Sequence, residues 1–446
     1  MNVTDADVIV VGAGVSGLAC AHALAAACTV RVLEAAAQSG GLVRTVEELG
    51  FRREEGPEAL PPNADAVRAL CAELALPVHD VPATAARRYV RRGERLLEVP
   101  ASPPALLASP LFSPLGKLRL LSEPLRARGR ALDGSIADFA RHRLGREFLE
   151  RLVDPLVGGI HAGRPEELSL RACFPEAVEL VERHGSVVGA MKARARARTP
   201  GAPRPTLWKP AGGMQALPRA LAAALGPRLE LANPVRSVVR DGALFRVERE
   251  HGPALRARTL VLATAAAPAR ALLAPLAPEA AAALGDLAAE SLASVAIGAR
   301  RADIAHPLDG FGYLVPSALG SPVLGTLFSS TLWPQAAPAG CVLVRSLLGG
   351  ARHAELLTRS DEALAALAVD EARARLGLAG EPLLVRVARW PGVIPRFDLA
   401  HPARQAALVR GLVPGLHLLG NYTRGIGLAC LVREARALAA RLVEAA

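Results

Sequence analysis

The sequence predicts an α/β plus α+β architecture: a Rossmann-like domain assembled from both chain ends, an antiparallel-sheet domain, and a helical insertion. Three observations carry this prediction. A strand–glycine–helix–strand pattern opens the chain, a second strand–glycine–helix unit closes it, and short alternating apolar segments fill residues 291–350. With 446 residues the chain is long enough for two or three domains that share a large core.

At the N-terminus, the apolar run Asp7-Val8-Ile9-Val10-Val11 enters Gly12-Ala13-Gly14-Val15-Ser16-Gly17, and a second strand, Val30–Leu33, ends at Glu34. Strand, glycine turn, helix, strand and acid together form the dinucleotide fingerprint in the context it requires. Gly12 makes the tight turn, Gly14 lets backbone approach a pyrophosphate, and Gly17 lets helix close on strand. The helix starting at Val15 and Ser16 offers unpaired N–H groups to phosphates. Glu34, followed by Ala35, is placed to accept hydrogen bonds from ribose hydroxyls. Just beyond lies Gly40-Gly41-Leu42-Val43-Arg44. A second glycine pair past the acid suits FAD better than a nicotinamide cofactor, with Arg44 adding charge near a phosphate; a plain surface turn is the alternative.

Further along, residues 63–76 show helical spacing at Val67, Leu70, Cys71 and Leu74, and residues 86–100 read as a hairpin turning at Arg92-Gly93-Glu94. From Pro100 to Gly116 the chain is uncharged, largely apolar and rich in proline; Lys117, Arg119, Arg126, Arg128 and Arg130 follow. An apolar loop beside a basic helix suits peripheral membrane docking, while an ordinary helical insertion with a solvated arginine face is the plainer reading. Helices are expected around 135–153 and 175–197, then a Pro/Gly-rich linker at 200–205. Lys192–Arg198 alternates charge with alanine but carries no aromatic residues to stack bases, so nucleic acid is not an expected partner.

A glycine turn at Gly212-Gly213 leads into a helix over 215–225, and short strands are expected at 229–231, 235–240 and 244–250. Val261–Ala263 reads as another parallel strand. Residues 266–290 are expected to be helical, 361–376 form a further helix, and 383–390 one more strand. Gly415–Asn421 is then a strand running into a glycine turn, followed by Gly425-Ile426-Gly427-Leu428 and an alanine-rich helix. That helix N-terminus would point at a flavin ring and stabilise negative charge on its reduced form. The expected division is 1–75, 206–265 and 401–446 for the cofactor domain, 76–99 and 266–400 for the substrate domain, and 100–199 for the insertion.

Composition narrows the function classes. Only Lys117, Lys192 and Lys209 are lysines among 53 basic residues, so the net charge of +11 reflects arginine-rich coding more than an anionic partner. Six cysteines without a CxxC pair argue against zinc and against a disulfide framework, which suits a reducing compartment. Met1–Asp7 has no basic segment before an apolar stretch, so no signal peptide is expected, and no segment qualifies as a transmembrane helix. The expected location is cytoplasmic, with peripheral contact to the inner membrane.

Internal motifs are more specific than the glycines: Gly159-Ile160-His161-Ala162-Gly163, Glu167–Pro175, Gly310–Pro316, Leu324–Ser330, Arg389-Trp390-Pro391 and Gly420-Asn421-Tyr422. On these the chain resembles the protoporphyrinogen oxidases, within the FAD-dependent amine-oxidase-like proteins, nearly end to end. The resemblance implies oxidation of a porphyrinogen, a tetrapyrrole with sp³ bridges, with hydride passing to FAD N5 and dioxygen as final acceptor. No triad, metal cluster or carboxylate pair is needed, since the flavin supplies the redox step.

The resemblance also implies site residues. Phe311 would stack on a pyrrole ring, the Gly158-Gly159 turn would pass close to the macrocycle, and Arg88 would pair with a propionate. Gly56, Pro57, Val235, Ala263, Trp390, Gly420 and Asn421 join the expected cofactor shell, together with Gly427 and Leu428. Glu58, Gln38 and Cys430 depart from the family pattern; a carboxylate at Glu58 would repel a propionate or hydrogen-bond pyrrole N–H groups. A homodimer and hand-off to ferrochelatase are further implied partnerships. Three rivals stay open: coproporphyrinogen III as substrate, a flavin amine oxidase, and a non-catalytic flavin- or porphyrin-binding partner.

Overall fold

The computed structural model describes residues 4–125, 132–196 and 206–445. The expected basic residues Arg126, Arg128, Arg130 and Arg198, and the linker at 200–205, lie outside the described residues.

The opening strand, Ala6–Val11, lies between parallel neighbours Val30–Leu33 and Leu255–Leu262, with Val10 opposite both Val32 and Val261. The strand Leu416–Leu418 adds in parallel to the second half of Leu255–Leu262, while the first half pairs antiparallel with Leu244–Arg249. Strand Leu229–Glu230 completes the far edge beside Val30–Leu33. Both faces of this seven-stranded sheet are covered, so its central strands are apolar throughout rather than alternating. On one face the helices Val15–Leu24 and Leu428–Glu444 share a core through Leu18, Leu24, Val432 and Leu438. The chain ends are thereby locked together.

The other face buries helices Ala266–Leu273 and Pro278–Gly285 through Leu272, Leu273 and Leu284, in one core with Ile9, Leu260 and Leu262. The expected single helix over 266–290 is therefore two helices, broken before Pro278, and a strand begins at Ala289. These helices pack on the first sheet and not, as the expected division of 266–400 has it, with the second, because their apolar stripes have the first sheet as their partner. A helix unforeseen in the sequence, His401–Arg410, packs beside Pro278–Gly285.

The second seven-stranded sheet runs Leu384–Pro395, Ala289–Arg300, Cys341–Gly349, Val323–Leu327, Gly312–Leu314, Tyr89–Arg92 and Arg95–Glu98. Every junction is antiparallel except Gly312–Leu314 with Tyr89–Arg92, where the early hairpin joins a sheet built from later residues. Helix Asp361–Leu376 covers one face with Leu364, Ala368, Ala372 and Leu376 against Val295, Ile297 and Val344. Ser360 caps its first turn and Gly377, in the left-handed region, ends it.

In the insertion, the expected helix over 135–153 breaks at Gly145 (φ +97°), and that over 175–197 breaks at Gly185 (φ +74°). From Arg146 to His161 the chain stays helical, with one wide turn over Leu149–Val153. Pro155 explains that turn, since it has no N–H to return to the preceding turn. No helix among the described residues is long and apolar enough to cross a membrane.

Candidate cofactor and substrate site

Gly12 (φ +106°) turns the chain where a Cβ would stand 2.7 Å from the Ala263 carbonyl oxygen, and a Cβ on Gly17 would stand 2.0 Å from the Gly12 oxygen. These two glycines are required by the protein's own packing. Gly14 is different: its φ is −69° and a Cβ there meets no protein atom within 4 Å. The Gly40–Gly41 turn folds back onto it, with the Gly40 N–H donating to the Ala13 oxygen at 2.8 Å. Buried Val15 and Ser16 then begin a helix whose first turn has no side-chain cap.

Glu34 borders this cradle. Its carboxylate accepts from the N–H groups of Ala13 (2.6 Å) and Ala36 (2.9 Å), holding the glycine turn against the second strand. Its own backbone carbonyl accepts from the N–H of Asn233, so the segment leading into Val235 lies alongside; Ala35 is exposed there. At the other chain end, Gly427 starts the C-terminal helix, again without a side-chain cap and with no atom within 4 Å of a Cβ. Leu428 tucks against the core that joins the two helices.

Of the three residues that fix this second turn, sequence reasoning named Asn421 and missed Gln405 and His401. Gln405 Nε2 donates to the Tyr422 oxygen at 2.7 Å, and His401 Nε2, stacked on Phe397, donates to the Thr423 oxygen at 3.3 Å. Asn421 Nδ2 donates to the Val393 oxygen at 2.7 Å. Only Asn421 belongs to a recognisable motif; the other two come from the unforeseen helix.

A third segment, Glu54–Glu58, runs beneath Leu42, whose carbonyl oxygen would lie 1.9 Å from a Cβ on Gly56. Side chains of the second sheet grip three successive carbonyls here. Arg345 Nη1 donates to the Glu54 and Gly56 oxygens, both at 2.7 Å, and Trp390 Nε1 donates to the Glu55 oxygen at 2.8 Å. Pro57 follows, and Glu58 then returns to the same arginine, its Oε2 3.1 Å from Arg345 Nε. Arg44 faces Glu55 at 3.8 Å, half-exposed. Close by, Glu54 is buried against Lys209 at 2.9 Å, where desolvation pushes its carboxyl up despite the lysine.

The expected repulsion at Glu58 is thus corrected: a buried guanidinium neutralises it. The expected Gly158-Gly159 turn is also corrected. Both glycines lie inside helix Asp154–His161, where a Cβ would stand 2.8 Å from Arg352 Nη2 and 2.7 Å from Leu314 Cδ2. Their small size lets that helix approach the second sheet. Arg352 is itself buried and paired with Asp154 at 2.7 Å.

Arg88 and Phe311 are brought together, with the guanidinium carbon 5.4 Å from the ring centroid. Among the described residues Arg88 has no acidic partner and donates only to the Ala86 oxygen.

A family model described as flavin containing amine oxidoreductase matches residues 15–441. The chain belongs to that family. Protoporphyrinogen oxidase, chloroplastic, of Nicotiana tabacum is 33% identical over 467 residues, spanning 98% of this chain and 85% of the tobacco protein. Coproporphyrinogen III oxidase of Propionibacterium freudenreichii is 31% identical, spanning 98% of this chain and 91% of its own length. A solved structure from Exiguobacterium sp. 255-15 matches over 100% of both chains, with a TM-score of 0.85 and 22% identity, and so shares the fold.

As a family member, the protein is an FAD-dependent oxidoreductase, and its residues fit that cofactor. Two helix starts, at Gly14 and at Gly427, carry no side-chain cap, and a Cβ at either glycine meets no protein atom within 4 Å, which leaves N–H groups and room for phosphates. Cys430 packs at the C-terminal helix start, where burial raises its thiol pKa and keeps it out of thiolate form. Gln38 is exposed.

Proposed function

We propose that this flavoprotein oxidises a porphyrinogen in heme biosynthesis, protoporphyrinogen IX to protoporphyrin IX, with dioxygen as final acceptor and hydrogen peroxide as by-product. The observation that carries the reading is Arg88, free of acidic partners among the described residues and lying over Phe311, in a chain similar over its full length to two kinds of porphyrinogen oxidase. FAD, when bound, supplies the two-electron acceptor. The chain's own residues do the rest. Phe311 offers a flat apolar face for a pyrrole, Arg88 a two-pronged donor for a propionate, and the glycine cradles fix the cofactor's phosphates.

The test is anaerobic. Protoporphyrinogen IX and coproporphyrinogen III are added separately to the yellow protein, followed by air, with porphyrin fluorescence read against an enzyme-free control. Flavin bleaching and porphyrin appearance support the reading; bound FAD that neither substrate bleaches defeats it.

We also propose peripheral membrane contact through the insertion. Helix Pro114–Leu121 buries none of its residues, and Leu115, Leu118 and Leu121 line one side, exposed by 75%, 62% and 53%. Leu125 continues the ridge at 89%. Four exposed leucines in one row are costly in water and suited to an interface. Leu118→Asp should abolish co-sedimentation with anionic vesicles and leave flavin content unchanged; equal sedimentation refutes the contact.

A further inference from the structure

We infer that Glu58 determines how many substrate carboxylates the site accepts, by holding Arg345 in an internal ion pair; this rests on the porphyrinogen reading. Arg345 sits in the middle of the second sheet and is 4% exposed. Across that sheet Tyr89 pairs with Tyr313, so Arg88 stands beside Gly312; Gly312 pairs with Leu327, and Leu327 with Arg345. Residues opposite one another on neighbouring strands share a face. Arg88 and Arg345 thus occupy one row, about 14 Å apart at three strand spacings. Ser329 Oγ donates to Glu58 at 3.4 Å, and the N–H of its chain neighbour Phe328 donates to the Phe311 oxygen at 3.0 Å, which ties Glu58 to the expected pyrrole platform through one short turn.

The two arginines differ in what they have left to offer. Arg345 spends Nη1 on two carbonyls and faces Glu58 through Nε, with Ser329 Oγ donating to the same carboxylate at 3.4 Å. Arg352, nearby on the same chain segment, is consumed by Asp154 and by the Val315 oxygen. Arg88 alone of the three keeps its guanidinium free of carboxylates among the described residues. A substrate with two propionates on one edge can use that single cation. One with four brings further carboxylates to a wall whose other two arginines are already neutralised. Discrimination then comes from the occupied arginine as much as from the free one. Removing Glu58 releases Arg345 Nε for a charge-assisted bond to an added carboxylate.

The experiment compares the wild-type holoenzyme with Glu58→Gln and Glu58→Ala, using protoporphyrinogen IX and coproporphyrinogen III. Binding of the two porphyrin products is followed in parallel by protein fluorescence quenching. The wild type should prefer the dicarboxylate. Both variants should shift the kcat/KM ratio about tenfold toward the tetracarboxylate, through KM, with product affinity moving in step. Adding Arg345→Met to Glu58→Ala should cancel the shift. An unchanged ratio in the near-isosteric Glu58→Gln with its flavin spectrum intact overturns the inference, as does a wild type that prefers coproporphyrinogen. A wild type that oxidises neither substrate defeats the porphyrinogen reading itself, a distinct result.

Discussion

The candidate surface of the first sheet is backbone; that of the second sheet is side chains. Gly12, Gly14, Gly17, Gly40 and Gly41 lie within one stretch of chain, and what they lack is a Cβ, which at Gly12, Gly17 and Gly40 would collide with neighbouring backbone. Arg88, Phe311 and Arg345 come from three separated segments, and each presents a cation or a ring. The contrast separates two ways of building a site. Backbone cradles leave no room for added atoms. Side-chain walls tolerate substitution but depend on the charges opposite them.

Gly14→Val tests the first half most severely. Its side chain would enter space that no protein atom uses, so bound flavin should be lost entirely while the apoprotein melts at the wild-type temperature. A yellow variant, read by visible absorbance, would break the contrast. Phe311→Ala tests the second half. It should raise KM for protoporphyrinogen about tenfold and leave the flavin spectrum unchanged, the loss expected for one aromatic platform. Unchanged kinetics would return Phe311 to plain packing.

Gln405→Ala lies between the two, because a side chain there holds a backbone turn. Losing one buried donor to the Tyr422 oxygen should cost about 1 kcal/mol, seen as FAD affinity several-fold weaker. Gln405→Glu should fail to rescue it, since a carboxylate cannot donate to a carbonyl. Equal FAD affinity in both variants would show that the turn holds itself.

The smallest effect concerns pH. His161 is buried against Phe174, and desolvation lowers its pKa from 6.5 to about 4. Between those values the unfolded chain binds a proton that the folded chain refuses, so stability falls as pH drops through the window. His161→Phe should flatten the decline of Tm between pH 6.5 and 4 and leave Tm at pH 7.5 nearly unchanged. A slope identical to wild type would assign the acid sensitivity elsewhere.

The opening fingerprint was legible residue by residue because its geometry is local: a tight turn, a helix start and an acid within thirty residues. Helix Asp361–Leu376 was legible at both ends for the same reason, with Ser360 and Gly377 as its caps. Helix His401–Arg410 was not, since its charged residues and Pro402 mask a stripe whose buried members are only His401 and Leu408. The break at Pro278 was hidden by alanines that continue a helical pattern on both sides. Arg345 carried no signal at all in a chain so rich in arginine.

By itself, therefore, the sequence determined the cofactor fold and its glycine cradle, because strand period, glycine conformation and helix polarity act over neighbouring residues. Tertiary structure alone decided which charges meet. Glu58 finds Arg345, Asp154 finds Arg352 and Lys209 finds Glu54 across more than a hundred residues of chain, and Arg88 is left over. A buried charge is tolerable only beside its opposite, and that pairing is settled where the strands are brought together, not where the residues are written.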